Sequence, residues 1–498
     1  MYGCLNKALQ VCALAGLLAC SASAAWGQNG AFPADPAFAT ANDQYGTAAS
    51  VPAAEANYNN TSMLGEKDLA KKVADLEKTV KKMTDKAAAD KKKADSAPTV
   101  KFGGWFMVDS TWFGQDAASI AALGNAQDTT YFRNARINVE GEYGVTYYKM
   151  EYDFTGRNDY TSGAASAGAA HTHTISSVET TPFKDLILGV KDLPFLGKFQ
   201  GGHFKEPFGL EELTSDKYLS FTERGFTSTF TPSRNVGVMA TNNWAGENGT
   251  WAVGAFRTIN DIPPYLADDR GLYAGTGRVT FLPWYDEATE GRGLWHLGAA
   301  YSYRDLGNYT QRVRSRPETG VGPYVVSTQI GAVDSLTNVV NENMFGLETA
   351  LVYGPLSFQA EYIGATFNRS GGLGQPYLTA GYAYVTYFLT GENRAYQRST
   401  GTFARVKPFT NFFRVRTEDG SIENGWGAWE LGYRWSFINL DDSGILGGYA
   451  SDHTFGVNWY MTPYMKMMAG LVHSDDGLQN NGANTFIDTV TLRGFVEF

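Results

Sequence analysis

Six cations and no acid lie between Arg394 and Arg416: Arg394, Arg398, Arg405, Lys407, Arg414 and Arg416. They stand in a chain whose formal net charge is −10. A second basic group, Arg312, Arg314 and Arg316, occupies alternate positions, so an extended backbone would present three guanidinium groups on one side. Lys205 and Arg224 belong to a third stretch, Gly202 to Arg234, which also carries Glu206, Glu211, Glu212 and Glu223. From Val100 onward 21 of 30 cations are arginine. A guanidinium matches the oxygens of an oxyanion in pairs and stays charged near neutral pH. Such groups, fixed along a wet passage and binding weakly at several points, can hand a small anion onward. The same region holds 41 acids, so part of the arginine complement is expected to pair with them. Lys205-Glu206 and Glu223-Arg224 can equally be structural ion pairs that hold their loop in place.

The elements that would position these groups have a period of two. Tyr148, Met150, Tyr152 and Phe154 alternate with Lys149, Glu151 and Asp153. Trp429, Leu431, Tyr433, Trp435 and Phe437 alternate with Ala428, Glu430, Gly432, Arg434 and Ser436. One face is apolar and aromatic and the other polar. Either a soluble antiparallel sandwich or a membrane barrel reads this way. Aromatics make up 14% of the chain and glycines number 56, and mean hydropathy is −0.28, which suits alternating strands better than membrane helices. Seventeen candidate strands are found between 101 and 498. The segment 403–412 is the one that spoils an even count, and it carries Pro408, unwelcome inside a paired strand. Sixteen strands are therefore expected, with Gly391 to Gly425 as one long connection on the short-turn side. Arg136 shares its parity with Asn134, Asn138 and Glu140 and is expected to face the lumen. Arg133 has the opposite parity and is expected at a rim.

The first hundred residues are different in kind. Residues 1–24 read as a secretory signal: Lys7, an apolar run from Ala8 to Ala19, and the small-residue site Ala22-Ser23-Ala24. Leu17-Leu18-Ala19-Cys20 alternatively resembles a lipobox that would leave a lipidated Cys20. All three cysteines, at 4, 12 and 20, lie here, so the expected barrel depends on no disulfide. Residues 25–65 form a polar, Ala-rich lead-in without a period. Within 66–95, Leu69, Val73, Leu76, Val80, Met83 and Ala87 recur at spacings of four and three, the pattern of a coiled coil. Ser96-Ala97-Pro98 then closes the helix, and the barrel is expected over 99–498.

The acidic balance argues against nucleic-acid binding. The six histidines show no metal-ligand spacing beyond His171-x-His173 in a small-residue loop, where solvation is the expected state. No glycine-rich phosphate loop precedes a helix, and no cofactor is implied.

The run FKEPFGLEELTS at 204–215, followed by FTER, then Pro232-Ser233-Arg234 and Gly237, resembles the phosphate-selective porin O and P family of outer-membrane trimers. The alternation Val490, Leu492, Gly494, Val496, Phe498 resembles the closing signal of outer-membrane barrels. The resemblance covers 100–498. It implies an all-β chain folded as a 16-stranded antiparallel transmembrane barrel in the outer membrane; the helical coiled-coil segment, read from its own spacing and outside the resemblance, is then expected on the periplasmic side. It also implies a homotrimer among outer-membrane lipid. Two loops and one turn would fold into the lumen: the Lys205 loop, the loop after Arg304 and the turn 391–425. The implied function is passage of small anions, chloride or phosphate-like oxyanions, past Arg136, Lys205, Arg224, Arg312, Arg314, Arg316, Arg394, Arg398, Arg405, Lys407, Arg414 and Arg416. Two other classes remain open. One is a non-selective porin whose coiled coil ties the membrane to peptidoglycan; the other is a barrel enzyme of the phospholipase type.

Overall fold

The computed structural model describes residues 66–95, 98–155, 158–162, 173–177, 183–257, 272–328, 336–416, 420–477 and 485–498. The signal (1–24) and the lead-in (25–65) fall outside them. Among the described residues no helix is long and apolar enough to cross a membrane.

Sixteen strands close one antiparallel barrel. In chain order they are β1 (101–115), β2 (129–143), β3 (146–153), β4 (183–193), β5 (197–205), β6 (234–244), β7 (249–257) and β8 (273–285). There follow β9 (293–311), β10 (336–353), β11 (356–369), β12 (377–388), β13 (428–442), β14 (445–462), β15 (465–477) and β16 (485–497). Each strand pairs with its sequence neighbour, and β1 pairs with β16 from Trp105 opposite Glu497 to Gln115 opposite Ile487, which leaves no free edge. All sixteen lie where alternation places them, and 403–412 stays out of the barrel.

Parity decides what each side meets. On β9, Trp295, Leu297, Tyr301 and Tyr303 are exposed on the outer face, while His296, Ala300, Ser302 and Arg304 are buried inside. Outward apolar residues suit lipid, where the strands satisfy every backbone group among themselves. The inner face is not uniformly polar. Toward the end where β11 joins β12, Ile363, Phe367, Leu378, Ile438 and Leu440 point inward and are buried. They are covered by Phe208, Phe226 and Phe230 of the 206–233 loop and by Val325 and Val326 of the 312–335 connection. Two long loops therefore fill part of the lumen as an apolar core.

The connection 389–427 lies on the same end as the two-residue turns 144–145, 354–355 and 463–464. Its first half enters the lumen. Phe403 packs with inward Leu294, Ala350 and Val352, and with Leu210 of the 206–233 loop. Tyr396 donates to or accepts from His296 Nδ1 at 2.7 Å. Gly401 has φ +63°, and a Cβ there would meet the hydroxyls of Thr250 and Thr280 at 3.0 Å; its carbonyl accepts from Arg278 Nη2 at 2.8 Å.

Residues Glu66–Asp95 form one helix, α1. Val73, Leu76, Val80 and Met83 on it are exposed.

Gly401→Ala should cost about 1–3 kcal/mol through the left-handed backbone alone, plus the wall contact. Gly444→Ala shares the positive φ but has open space around it. Denaturant midpoints of the refolded barrel should fall further for the first than for the second.

Candidate functional site

The loop 206–233 is positioned in the lumen by its acids, each of which meets a cation. Glu206, fully buried, receives Arg304 of β9 at 2.9 Å and Thr276 Oγ1 at 2.5 Å. Glu211 meets Arg434 of β13 at 3.0 Å, and Arg434 also meets Glu318 of the 312–335 connection at 2.5 Å. One fully buried guanidinium thus ties both inward loops to the wall. Glu223 is held between Arg133 of β2 at 2.6 Å and Arg493 of β16 at 2.9 Å. Asp216 meets Arg224 at 2.6 Å and Arg136 of β2 at 3.4 Å.

A four-residue helix, Leu210–Leu213, begins this loop's path across the lumen. Gly209 opens it at φ +79°. The Glu361 carboxyl oxygens of β11 then accept the amides of Leu210 at 3.0 Å and Glu211 at 2.6 Å, so a wall side chain caps the otherwise unpaired N–H groups of the first turn. At the other end Arg224 donates to the carbonyls of Glu211 at 3.0 Å and Thr214 at 2.9 Å.

Charge and burial compete in the loop's acids. Burial alone would push the Glu223 carboxyl up, but Arg133 and Arg493 outweigh it and bring it down to about 2. Burial is likewise overcome at Asp216 by Arg224 and Arg136, and at Glu212 by Lys205 and Arg224. At Glu211 burial wins over Arg434, and the carboxyl titrates above the usual range.

Between this loop and the wall of β2, β5, β6, β9 and β10 lies a cavity of about 740 Å³. Ten arginines and lysines line it against six acids. Six of the twelve residues expected from the sequence come together there: Arg136, Lys205, Arg224, Arg312, Arg314 and Arg316. The trio on the 312–335 connection forms a compact patch. The Arg314 guanidinium lies 3.9 Å and that of Arg316 4.1 Å from the centre of the Tyr324 ring. Arg316 is oriented by the Gly322 carbonyl at 2.7 Å. Arg312 is exposed, and partial burial and the neighbouring Arg314 charge both lower its pKa. The patch is concentrated enough for its cations to repel one another, and a bound anion would relieve that repulsion.

The other six lie apart from this cavity. Arg394 is buried against Phe403 at 3.5 Å and donates to Gln359 at 3.0 Å. Arg398 meets Glu287 at 2.9 Å, beside the short turns, and Arg405 meets Glu497 at 2.6 Å. Glu497 also receives Lys217 at 2.7 Å, so the inward turn and the 206–233 loop converge on one carboxylate. Lys407, Arg414 and Arg416 are exposed.

Three expectations need correction. Arg133 is not at a rim: the β1–β2 register steps from Asn134 opposite Met107 to Phe132 opposite Val108. This bulge leaves Arg133 as the extra residue, resets the parity and turns it into the cavity. Lys205 pairs with Glu212 at 3.1 Å, not with its neighbour Glu206, because adjacent residues of an extended chain face opposite ways. Arg224 likewise meets Asp216 and Glu212, while its neighbour Glu223 is held by Arg133 and Arg493. The sequence reading also passed over Lys184, Arg234 and Arg304, which line the cavity, and Arg278, Arg434 and Arg493, buried on the lumenal wall. Their inward parity beside outward aromatics was a usable signal, as with Arg304 next to Tyr301 and Tyr303.

A family model described as phosphate-selective porin O and P matches residues 111–494. Porin O of Pseudomonas aeruginosa is 27% identical over 387 residues, covering 72% of this chain and 80% of that protein. An uncharacterized protein of Caulobacter vibrioides is 31% identical over 262 residues, 50% of this chain and 47% of that one. Among solved structures, an anion-selective porin from Comamonas acidovorans aligns over 80% of this chain and 100% of its own, with a TM-score of 0.43 at 11% identity.

Arg434→Met leaves Glu211 and Glu318 buried without their shared cation and should cost roughly 3–5 kcal/mol. Arg312→Gln, at an exposed position, should stay within about 0.5 kcal/mol of the parent; denaturant titration of the refolded barrel reads both. The lowered carboxyls also fix a pH window. Glu223 favours the folded state above its unfolded value of 4.5, and that contribution is lost as pH falls toward about 2. Stability should therefore decline between those limits, and less steeply in Glu223→Gln.

Proposed function

The chain belongs to the phosphate-selective porin O and P family and is an outer-membrane porin channel, and on that footing we propose that it passes small anions, with phosphate-like oxyanions held briefly at its arginines. The supporting observation is the cavity's charge: ten cations against six acids in a chain that is acidic overall. The acids there are largely engaged by wall and loop arginines, so the field felt by a mobile ion is set by the excess cations. Arg312, Arg314 and Arg316 supply a stepping point where a guanidinium fork can meet two oxygens at once. Lys205, Arg136 and Arg224 line the same cavity but are tied to carboxylates, so they shape the passage more than they bind within it. Transport needs no covalent step and proceeds by electrodiffusion.

Two finer points belong to the same reading. The barrel acts as a homotrimer, and α1 associates through the Val73, Leu76, Val80 and Met83 stripe as a coiled coil, burying side chains that are exposed in the single chain. A helix of this length and charge is marginal alone in water. The helicity of a peptide spanning 66–95 should accordingly rise with its concentration, and a concentration-independent signal would remove the coiled coil.

The selective test is block of chloride current by added phosphate in planar bilayers. Block is expected in the parent and should weaken about tenfold or more, near 1.4 kcal/mol, in Arg312→Gln/Arg314→Gln. Chloride current that phosphate does not reduce would leave an anion channel without an oxyanion site.

A further inference from the structure

Lys466 stands on β15 just after the short turn 463–464. Its neighbours Met465 and Met467 are exposed on the outer face, whereas Lys466 points inward and is 3% exposed. Wall arginines buried in the same way each meet a carboxylate: Arg278 with Glu348, Arg304 with Glu206, Arg434 with Glu211 and Arg493 with Asp109. Lys466 makes no ion pair among the described residues. Its ammonium donates to the Leu219 carbonyl of the 206–233 loop at 3.2 Å and otherwise faces the rings of Tyr460 and Phe495, at 5.5 and 5.7 Å. Glu430, an acid of the same inner wall, is taken by Ser220 at 3.0 Å, Asn458 at 2.8 Å and Tyr460 at 2.7 Å. A buried ammonium held by one carbonyl is costly unless a counterion joins it.

Beside it lies a cavity of about 10 Å³. Three segments meet there: Lys217 and Tyr218 from the 206–233 loop, Arg405 from the inward turn, and Lys466 with Phe495 from the wall. Lys217 and Arg405 both pair with Glu497, at 2.7 and 2.6 Å. Three cations therefore stand against one carboxylate, an excess of two positive charges. The cavity is about the size of one water-sized sphere, and the side chains of Lys217 and Arg405, 20% and 22% exposed, can shift outward to admit an ion slightly larger. A tetrahedral oxyanion does not fit.

We propose that this cavity holds one halide ion, chloride in ordinary salt, as the fixed counterion of Lys466. Charge favours the halide over water: a water could accept from the ammonium but would leave the excess uncancelled. The ion is retained where it sits, so the inference does not depend on which anions the channel passes. By touching loop, turn and wall at once it would fasten the inward segments at the short-turn end of the lumen.

The test uses the whole refolded barrel. Crystals grown in sodium bromide instead of chloride should show a bromine anomalous peak in contact with Lys466 Nζ. In solution, replacing gluconate by chloride at constant ionic strength should shift the unfolding equilibrium about tenfold toward the folded state, as for any ligand that binds only that state. Lys466→Met should lose this shift. Arg312→Gln/Arg314→Gln should keep it, which separates the ion from anions held in the large cavity. Should Lys466→Met fail to refold, the bromide crystal and the salt comparison on the parent still decide. Bromine density confined to the large cavity, or equal stability of the parent in chloride and gluconate, would overturn the proposal.

Discussion

The structure depends on one kind of contact: carboxylates of inward segments held by arginines of the barrel wall. Glu206 with Arg304, Glu211 and Glu318 with Arg434, and Glu223 with Arg133 and Arg493 are spaced around the wall on β9, β13, β2 and β16. A loop without these pairs would leave buried arginines uncompensated, and a wall without them would bury loop acids in the same condition. Each pair loses much of its Coulomb energy to desolvation, so the set adds little net stability. What it specifies is position. The apolar side of the loop, through Phe208, Phe226 and Phe230, supplies the driving force that brings it inward, and the ion pairs decide where it stops.

The same contacts explain how an acidic chain can present a basic passage. Acids on the lumenal side are spent on anchoring, which takes their charge out of reach of a passing ion. On the 312–335 connection the guanidinium groups of Arg314 and Arg316 lie against the Tyr324 ring. A ring's quadrupole orients a cation while leaving it charged. Position therefore comes from Glu–Arg pairs, and the orientation of two guanidinium groups from Arg–Tyr contacts.

Much of this was legible in the sequence, because alternation fixes both strand and facing in one step. The sixteen strands, the exclusion of 403–412 and the lumenal side of Arg136 all follow from period two, with Pro408 settling the parity. Arg133 could not be placed that way, since a single bulge inverts parity and leaves no mark in composition. The basic run 394–416 reads as one group but divides in two. Arg394, Arg398 and Arg405 are held inside or at the short turns, whereas Arg414 and Arg416 ride on an outer ribbon, Phe413–Arg416 against Ile422–Gly425. The division is made by Phe412 packing on Trp459, a contact between residues far apart in the chain. The partners of Lys205 and Arg224 were misjudged because adjacency in sequence was taken for adjacency of side chains. Wall arginines such as Arg434 and Arg493 were visible as inward residues, but their partners lie on loops whose path no local pattern reveals.

The measurement that bears most directly on the account is the zero-current potential of the purified protein in a planar bilayer under a KCl gradient. An excess of lumenal cations predicts a potential of the sign set by chloride, growing as the salt is lowered and screening weakens. A potential near zero, or one set by potassium, would contradict it, because the acids would then be acting on the mobile ion instead of on the wall.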